Sequence, residues 1–174
     1  MIRLSGDRTS GAEQLAAPRA QVNVLHLING EHYSGAERVQ DLLGLALPAC
    51  GYAAGFVALK PGRFAGSRRS VDCPLYQLPM RSRWDMGIAR RIASICREGG
   101  FELLHAHTPR SLLVAARVAR LAGLPLVYHV HSPVGRDCGS WWKNRVNTWL
   151  ESLLLRRCDH MICVSGSLHD YMLG

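Results

Sequence analysis

Val22-Asn-Val-Leu-His-Leu-Ile28, then Asn29-Gly-Glu-His-Tyr33 and Ser34-Gly-Ala-Glu37, is the stretch on which the fold turns. Its first seven residues are a mostly apolar run of strand length, the pattern of a fully buried strand. A short polar loop follows. Ser34 and Glu37 then stand at the spacing of a capping box, which opens a helix. Val39, Leu42, Leu43, Ala46 and Leu47 would form one apolar face of that helix, with Gly51 as its stop.

The same rhythm continues outward. Gly55 to Lys60 reads as a second strand, residues 61–72 as a loop rich in Gly, Ser and Arg, and Pro74 to Leu78 as a short third strand. Asp85 can cap a helix whose inward face is Ile88, Ile92 and Ile95. Glu102 to Ala106 is the fourth strand. Thr108-Pro109 then supplies an N-cap and a proline at the first helical position, and Gly123 and Pro125 close that helix after Ala122. Leu126 to Val130 is the fifth strand, a helix is expected from about Ser140 to Arg157, Asp159 to Val164 is the sixth strand, and Ser167 begins a last helix. Strands alternating with helices give parallel βαβ units with right-handed crossovers. The expected fold is therefore α/β, a Rossmann-like doubly wound parallel sheet of about six strands. Residues 1–20 are expected to be a disordered leader and 21–174 one domain. Because the chain stops just after a helix begins, that domain is expected to be cut from a longer protein.

Composition narrows the class. With 48% apolar and 20% charged residues, the chain can bury an ordinary core, which excludes wholesale disorder. The longest apolar stretch, Leu112 to Leu126, is broken by Arg117, Arg120 and Gly123, so no membrane-spanning helix is expected. The first twenty residues lack the apolar segment of a signal peptide. Six cysteines, at 50, 73, 96, 138, 158 and 163, have no regular spacing, so free thiols in a cytoplasmic protein are expected rather than a disulfide framework. The net charge of +8 is unevenly spread. Basic residues at 60, 63, 68, 69, 81, 83, 90, 91 and 97 face only Asp72 and Asp85 over that span. Such a surface can attract nucleic acid, anionic lipid or phosphorylated substrates, or be only a solvated arginine-rich face.

Ligands of open parallel sheets bind beyond the carboxyl ends of the strands. The groups placed there are Asn29 to Glu37, His107 and Thr108, His131 and Ser132, and Ser165 to Ser167. The first loop has no G-x-G-x-x-G and no Walker A pattern, which argues against a nicotinamide-dependent dehydrogenase. Gly35 would let a ligand approach the backbone, or serve only a tight turn; Glu37 can meet a ligand or cap its own helix. His105 and His107, and likewise His129 and His131, are two apart on strands and share a face. The earlier member of each pair reads as a buried, hydrogen-bonded histidine and the later one as a site residue. With no third ligand at suitable spacing, no metal is expected.

Four segments in order carry a family resemblance. Val24-Leu-His-Leu-Ile-Asn-Gly30 with Ser34-Gly-Ala-Glu-Arg38 resembles the opening of the retaining family 4 glycosyltransferases, where a Gly-Gly-Ala/Ser-Glu loop follows the first strand. Leu103-Leu-His-Ala-His-Thr-Pro109, Leu126-Val-Tyr-His-Val-His-Ser-Pro133 and Asp159-His-Met-Ile-Cys-Val-Ser-Gly166 look like that family's fourth strand, fifth strand and approach to the domain junction. The likeness covers roughly residues 22–172, with Ser34 departing from the family's first glycine.

The resemblance implies one half of a GT-B architecture: two facing Rossmann domains, the first acceptor-side, the second gripping a nucleotide-sugar through Glu-x7-Glu. That C-terminal donor domain is absent from these residues, so the chain alone is expected to be incomplete and inactive. The implied reaction is transfer of a sugar from a nucleotide-sugar to an acceptor with retention, in cell-surface glycan or glycolipid synthesis. The catalytic candidate is His131, near the transferred sugar. Ser34, Gly35, Glu37, His107 and Ser165 are the donor- or acceptor-binding candidates, with Gly35 facing the diphosphate. No cofactor is expected, the nucleotide-sugar being a substrate. Expected partners are that donor, a glycan or lipid-linked acceptor, and an anionic membrane surface met by Arg68, Arg69, Arg81, Arg83, Arg90 and Arg91. Expected localisation is cytoplasmic, peripheral at the inner face of the membrane. The alternatives are a non-catalytic Rossmann module binding anionic lipid or nucleic acid, and half of a sugar-nucleotide epimerase.

Overall fold

The computed structural model describes residues 21–82, 85, 87–131 and 153–173. The expected leader, Arg83, Ser132, Cys138 and most of the expected helix at 140–157 lie outside them. Six parallel strands form one sheet in the order β3-β2-β1-β4-β5-β6, the doubly wound arrangement. They are β1 Val22–Ile28, β2 Tyr52–Ala58, β3 Leu75–Gln77, β4 Leu103–Ala106, β5 Leu126–Val130 and β6 His160–Cys163. The helices are α1 Gly35–Ala46, α2 Arg63–Ser67, α3 Ile88–Glu98, α4 Pro109–Ala122 and α5 Gly166–Leu173, with a 3-10 turn at Leu47–Cys50.

β1 and β5 match the sequence reading residue for residue. β2 begins three residues earlier than its apolar run, because Tyr52 and Ala53 pair in register with Val22 and Asn23. β3 starts after Pro74, which has no N–H to give to a ladder. The loop expected at 61–72 contains α2, whose Phe64 is fully buried against Phe56.

The two sheet faces differ in chemistry. On one, Leu25, Leu27, Leu104, Ala106, Tyr128 and Val130 join α3 and α4 in the main apolar core. Along α3 the expected face is correct: Ile88 and Ile92 are buried and Ile95 packs against the core. Its expected cap is not, since α3 starts after Gly87 and Asp85 instead accepts the Arg81 backbone N–H at 3.1 Å. α4 begins as expected. Thr108 and Ser111 form a full capping box, Pro109 follows the cap, and Gly123 closes the helix in the left-handed conformation at φ +69°.

The opposite face carries a smaller apolar cluster, Ile28, Ala54, Phe56, Ala58 and Phe64, beside the histidines, and α1 lies on it in an unexpected orientation. Its buried residues are Glu37, Gln40, Asp41 and Gly44, whereas Leu42 and Leu45 are 57% and 44% exposed. The helix turns its polar side inward because the loops around it supply the partners for Asp41. Asp41 accepts hydrogen bonds from the Tyr33 hydroxyl (2.6 Å), the Ser70 hydroxyl (2.7 Å) and the backbone N–H groups of Arg69 and Ser70. This carboxylate pins the loop after α2 onto α1. Burial pushes its pKa up, but those donors outweigh burial and hold it at about 2.

Candidate functional site

Parallel registry turns separated histidines into one cluster. His26 of β1 is the direct partner of His105 in β4. His105 aligns with Val127 of β5, which brings His107 beside His129, two residues further along each strand. Side chains alternate along a strand, so His26, His105, His107, His129 and His131 project on the same face. Neighbouring ring centroids lie 4.2 to 5.6 Å apart. The cluster straddles β1 and β4, where the strand order reverses and ligands of such sheets bind.

A hydrogen-bonded line runs through it. His26 Nδ1 lies 3.0 Å from His107 Nε2, and His107 Nδ1 lies 3.3 Å from His131 Nε2. Whichever ring donates, His107 is held at both nitrogens. Burial depresses every pKa in the group: to about 3 for His26, about 2 for His105 and about 4 for His129, the neighbouring histidines adding to the effect in each case, and well down for His107. His131 is half-buried. Burial lowers its pKa and the negative charge of Glu37 draws it back. The line is therefore made of neutral imidazoles, able to donate and accept at neutral pH.

Several expectations change. His107 does not stand free at the rim. It is 2% exposed and lies between His26 and His131. His105 and His129 are buried, as expected, but not fully hydrogen-bonded: His105 Nε2 and His129 Nδ1 have no partner among the described residues, and neither has His26 Nε2. His26 was passed over because in sequence it is a single histidine inside an apolar run. Only its pairing with His105 reveals it. The absence of a third ligand near each two-apart pair also fails in three dimensions, where ring nitrogens of His26, His105 and His107, and of His107, His129 and His131, come within 4.8 Å of one another.

The β1–α1 loop is held where it can face this line. Gly30 turns at φ +85°, a conformation that favours glycine, and backbone bonds from Lys60, Arg63 and Phe64 secure Asn29 to Glu31. Ser34 and Glu37 do not form the expected capping box. The Ser34 hydroxyl donates to the Glu37 carboxylate at 2.9 Å, so no side chain caps the first turn of α1. Those amide groups and the positive end of the helix dipole are left for an anion. Gly35 begins the helix with an ordinary φ, and a Cβ added there would meet nothing within 4 Å. Neither packing nor backbone geometry calls for a glycine at 35. Glu37 is 6% exposed and its charge acts on His131, linking this loop to the histidines. Ser165 stands after β6, where its hydroxyl accepts the Leu168 N–H at 3.2 Å and lies 3.1 Å from the Ser167 hydroxyl; it caps α5.

The arginine cluster is less available than its sequence density suggests. Arg68 gives its guanidinium to the carbonyls of Ser70, Val71 and Cys73, and Lys60 pairs with Glu31 at 2.7 Å. Arg69, Arg81, Arg90 and Arg91 are exposed. Among the described residues no helix is long and apolar enough to cross a membrane. The cysteines at 50, 73, 96, 158 and 163 are free thiols, and burial pushes Cys96 and Cys158 up to about 11.

A six-stranded doubly wound sheet, with an uncapped helix start and a polar rim at its switch point, defines the class: a Rossmann-like half of the GT-B glycosyltransferase fold. The chain belongs to glycosyltransferase family 4, whose model matches residues 33–174. No curated protein matches the chain in sequence. Among solved structures, HepE of Anabaena in complex with UDP is similar at a TM-score of 0.64 and 19% identity, over 80% of this chain and 37% of that one. MurG of Acinetobacter baumannii aligns at 0.61 and 14%, over 82% and 41%. A Listeria monocytogenes protein described as a UDP-N-acetylglucosamine 2-epimerase aligns at 0.56 and 12%, over 82% and 39%. At these identities the likeness is one of fold. The chain spans about two fifths of the length of these structures.

Proposed function

We propose that the chain is the acceptor-side half of a retaining glycosyltransferase, and that it acts together with a second, donor-binding domain on a nucleotide-sugar and a cell-surface glycan or lipid-linked acceptor. The observation that carries this reading is the uncapped start of α1 coupled through Glu37 to His131, at the switch point of a family 4 chain. The first-turn amides of α1 suit a diphosphate. Gly35 keeps the approach open, since no side chain there would shield the backbone. Half-buried His131 suits a sugar hydroxyl, because a neutral imidazole backed by His107 can accept a proton or donate one. HepE holding UDP supports a nucleotide-sugar as the donor class.

The test is His131→Ala in a protein containing both halves. Turnover should fall about tenfold to a thousandfold, the scale of a lost positioned hydrogen bond or acid–base group, with the melting temperature unchanged. Turnover close to that of the unaltered protein would overturn the role of His131. So would a loss accounted for by unfolding.

A further inference from the structure

The histidine line offers a second chemistry, which uses the same His107 and His131 nitrogens as the sugar-transfer reading and so belongs to the chain without donor or acceptor. The geometry points to a binding site for one first-row transition-metal ion of the zinc type, formed by His107, His129 and His131 at the carboxyl ends of β4 and β5. A tetrahedral ion with Zn–N bonds of about 2.0–2.1 Å sets its ligand nitrogens roughly 3.3–3.4 Å apart. His107 Nδ1 and His131 Nε2 are already 3.3 Å apart. Ring nitrogens of all three residues lie within 4.8 Å of one another, so modest rotation of the rings closes the set. The third residue brings its own reason. His129 is 9% exposed and its buried Nδ1 has no partner among the described residues, a costly state for a polar atom that a metal–nitrogen bond would relieve.

Two surrounding features fit a metal. Ligating histidines usually have the second ring nitrogen engaged, which fixes the ring. His107 has this from His26, whose Nδ1 lies 3.0 Å from His107 Nε2. Three neutral ligands also leave an ion's charge uncompensated, and the negative charge of Glu37 acts at His131. His131 is the least buried of the three, and a fourth ligand would be a water or an oxygen of a bound molecule.

The deeper triad of His26, His105 and His107 satisfies the same distance limit but fits less well. Its members are 0%, 8% and 2% exposed, and an ion there would lose its hydration with little access for a fourth ligand.

The experiment uses the full 174-residue chain, freed of metal by chelation, without nucleotide or acceptor. Titration with Zn2+, and with Co2+ followed by its visible absorption, should saturate at one ion per chain. His129→Asn should weaken binding by more than about 100-fold, since even loss of an outer-shell partner costs 10–100-fold. His105→Asn should leave it within about threefold. Circular dichroism of each metal-free variant checks folding. Should a variant not fold, X-ray absorption of the zinc-loaded unaltered chain decides: three imidazole nitrogens at about 2.0 Å support the site, and two or fewer overturn it. The assignment also falls if no saturable binding occurs, or if His105→Asn abolishes binding while His129→Asn does not. None of these readings depends on sugar transfer, so either proposal can fail alone.

Discussion

Gly35 and Gly44 sit in the same helix and are glycines for opposite reasons. A Cβ on Gly44 would lie 2.8 Å from the Ser70 Cβ and 3.0 Å from Phe56 Cζ. Neither neighbour yields easily, because Ser70 is clamped by Asp41 and Phe56 is fully buried. Gly44→Ala should therefore destabilise by about 1–2 kcal/mol, the cost of overpacking outweighing alanine's helix preference of about 1 kcal/mol. At Gly35 the space is open. Gly35→Ala should leave stability unchanged or raise it by about 0.5 kcal/mol, while weakening nucleotide-sugar binding in the two-domain protein. Urea unfolding of both variants, with donor titration of the second, tests the contrast. Equal stability losses at the two positions would show that Gly35 is a packing residue after all.

α1 shows how an element can be recognised and still be turned the wrong way. Its leucines recur at helical spacing, which ordinarily marks the buried side. Here Asp41 must reach Ser70 and Tyr33, so the polar side faces in. Leu42 at 57% exposed should behave as a surface residue: Leu42→Gln should change stability by less than about 0.5 kcal/mol, against the 2–5 kcal/mol typical of truncating a buried leucine. Gln40 is fully buried, and among the described residues neither its Nε2 nor its Oε1 has a partner. Gln40→Met keeps the shape, removes both unpaired atoms, and should stabilise by about 1 kcal/mol. Thermal melts of the two variants check the orientation of the helix. A large loss from Leu42→Gln would reverse it.

Across the whole molecule the histidine face makes stability depend on pH. All five histidines have folded pKa values below the ordinary 6.5. The unfolded chain therefore takes up protons that the native state refuses, and stability present above pH 6.5 is lost as pH falls toward the folded values. Each histidine that stays neutral costs about 1.4 kcal/mol per pH unit in that window. With His26 at about 3, His105 at about 2 and His129 at about 4, three or more act together. Against a domain stability of roughly 5–15 kcal/mol, half-unfolding is expected between about pH 5 and pH 3. Asp41, with its pKa of about 2, adds a further loss only below its ordinary 3.8. Circular dichroism against pH tests this. His26→Phe should reduce the slope by about 1.4 kcal/mol per pH unit, and stability unchanged from pH 7 to 4.5 would contradict the account.

Local chemistry was enough for the strands, the order of elements and the α4 cap, because apolar runs, Thr108-Pro109 and Gly123 act through their own backbone neighbours. The four motifs in order also carried the family. The placement of His131 at a strand end was likewise readable from β5. What one dimension could not supply was anything set by registry between strands: that His26 meets His105, that His107 is enclosed by four other rings, or that one face of the sheet gathers five histidines. The burial of α1 was equally out of reach, since Asp41 finds Tyr33, Arg69 and Ser70 only once the loops are folded around it. Ser34 and Glu37 had the right spacing for a cap. Only the folded loop decided that they would bond each other and leave the start of the helix open.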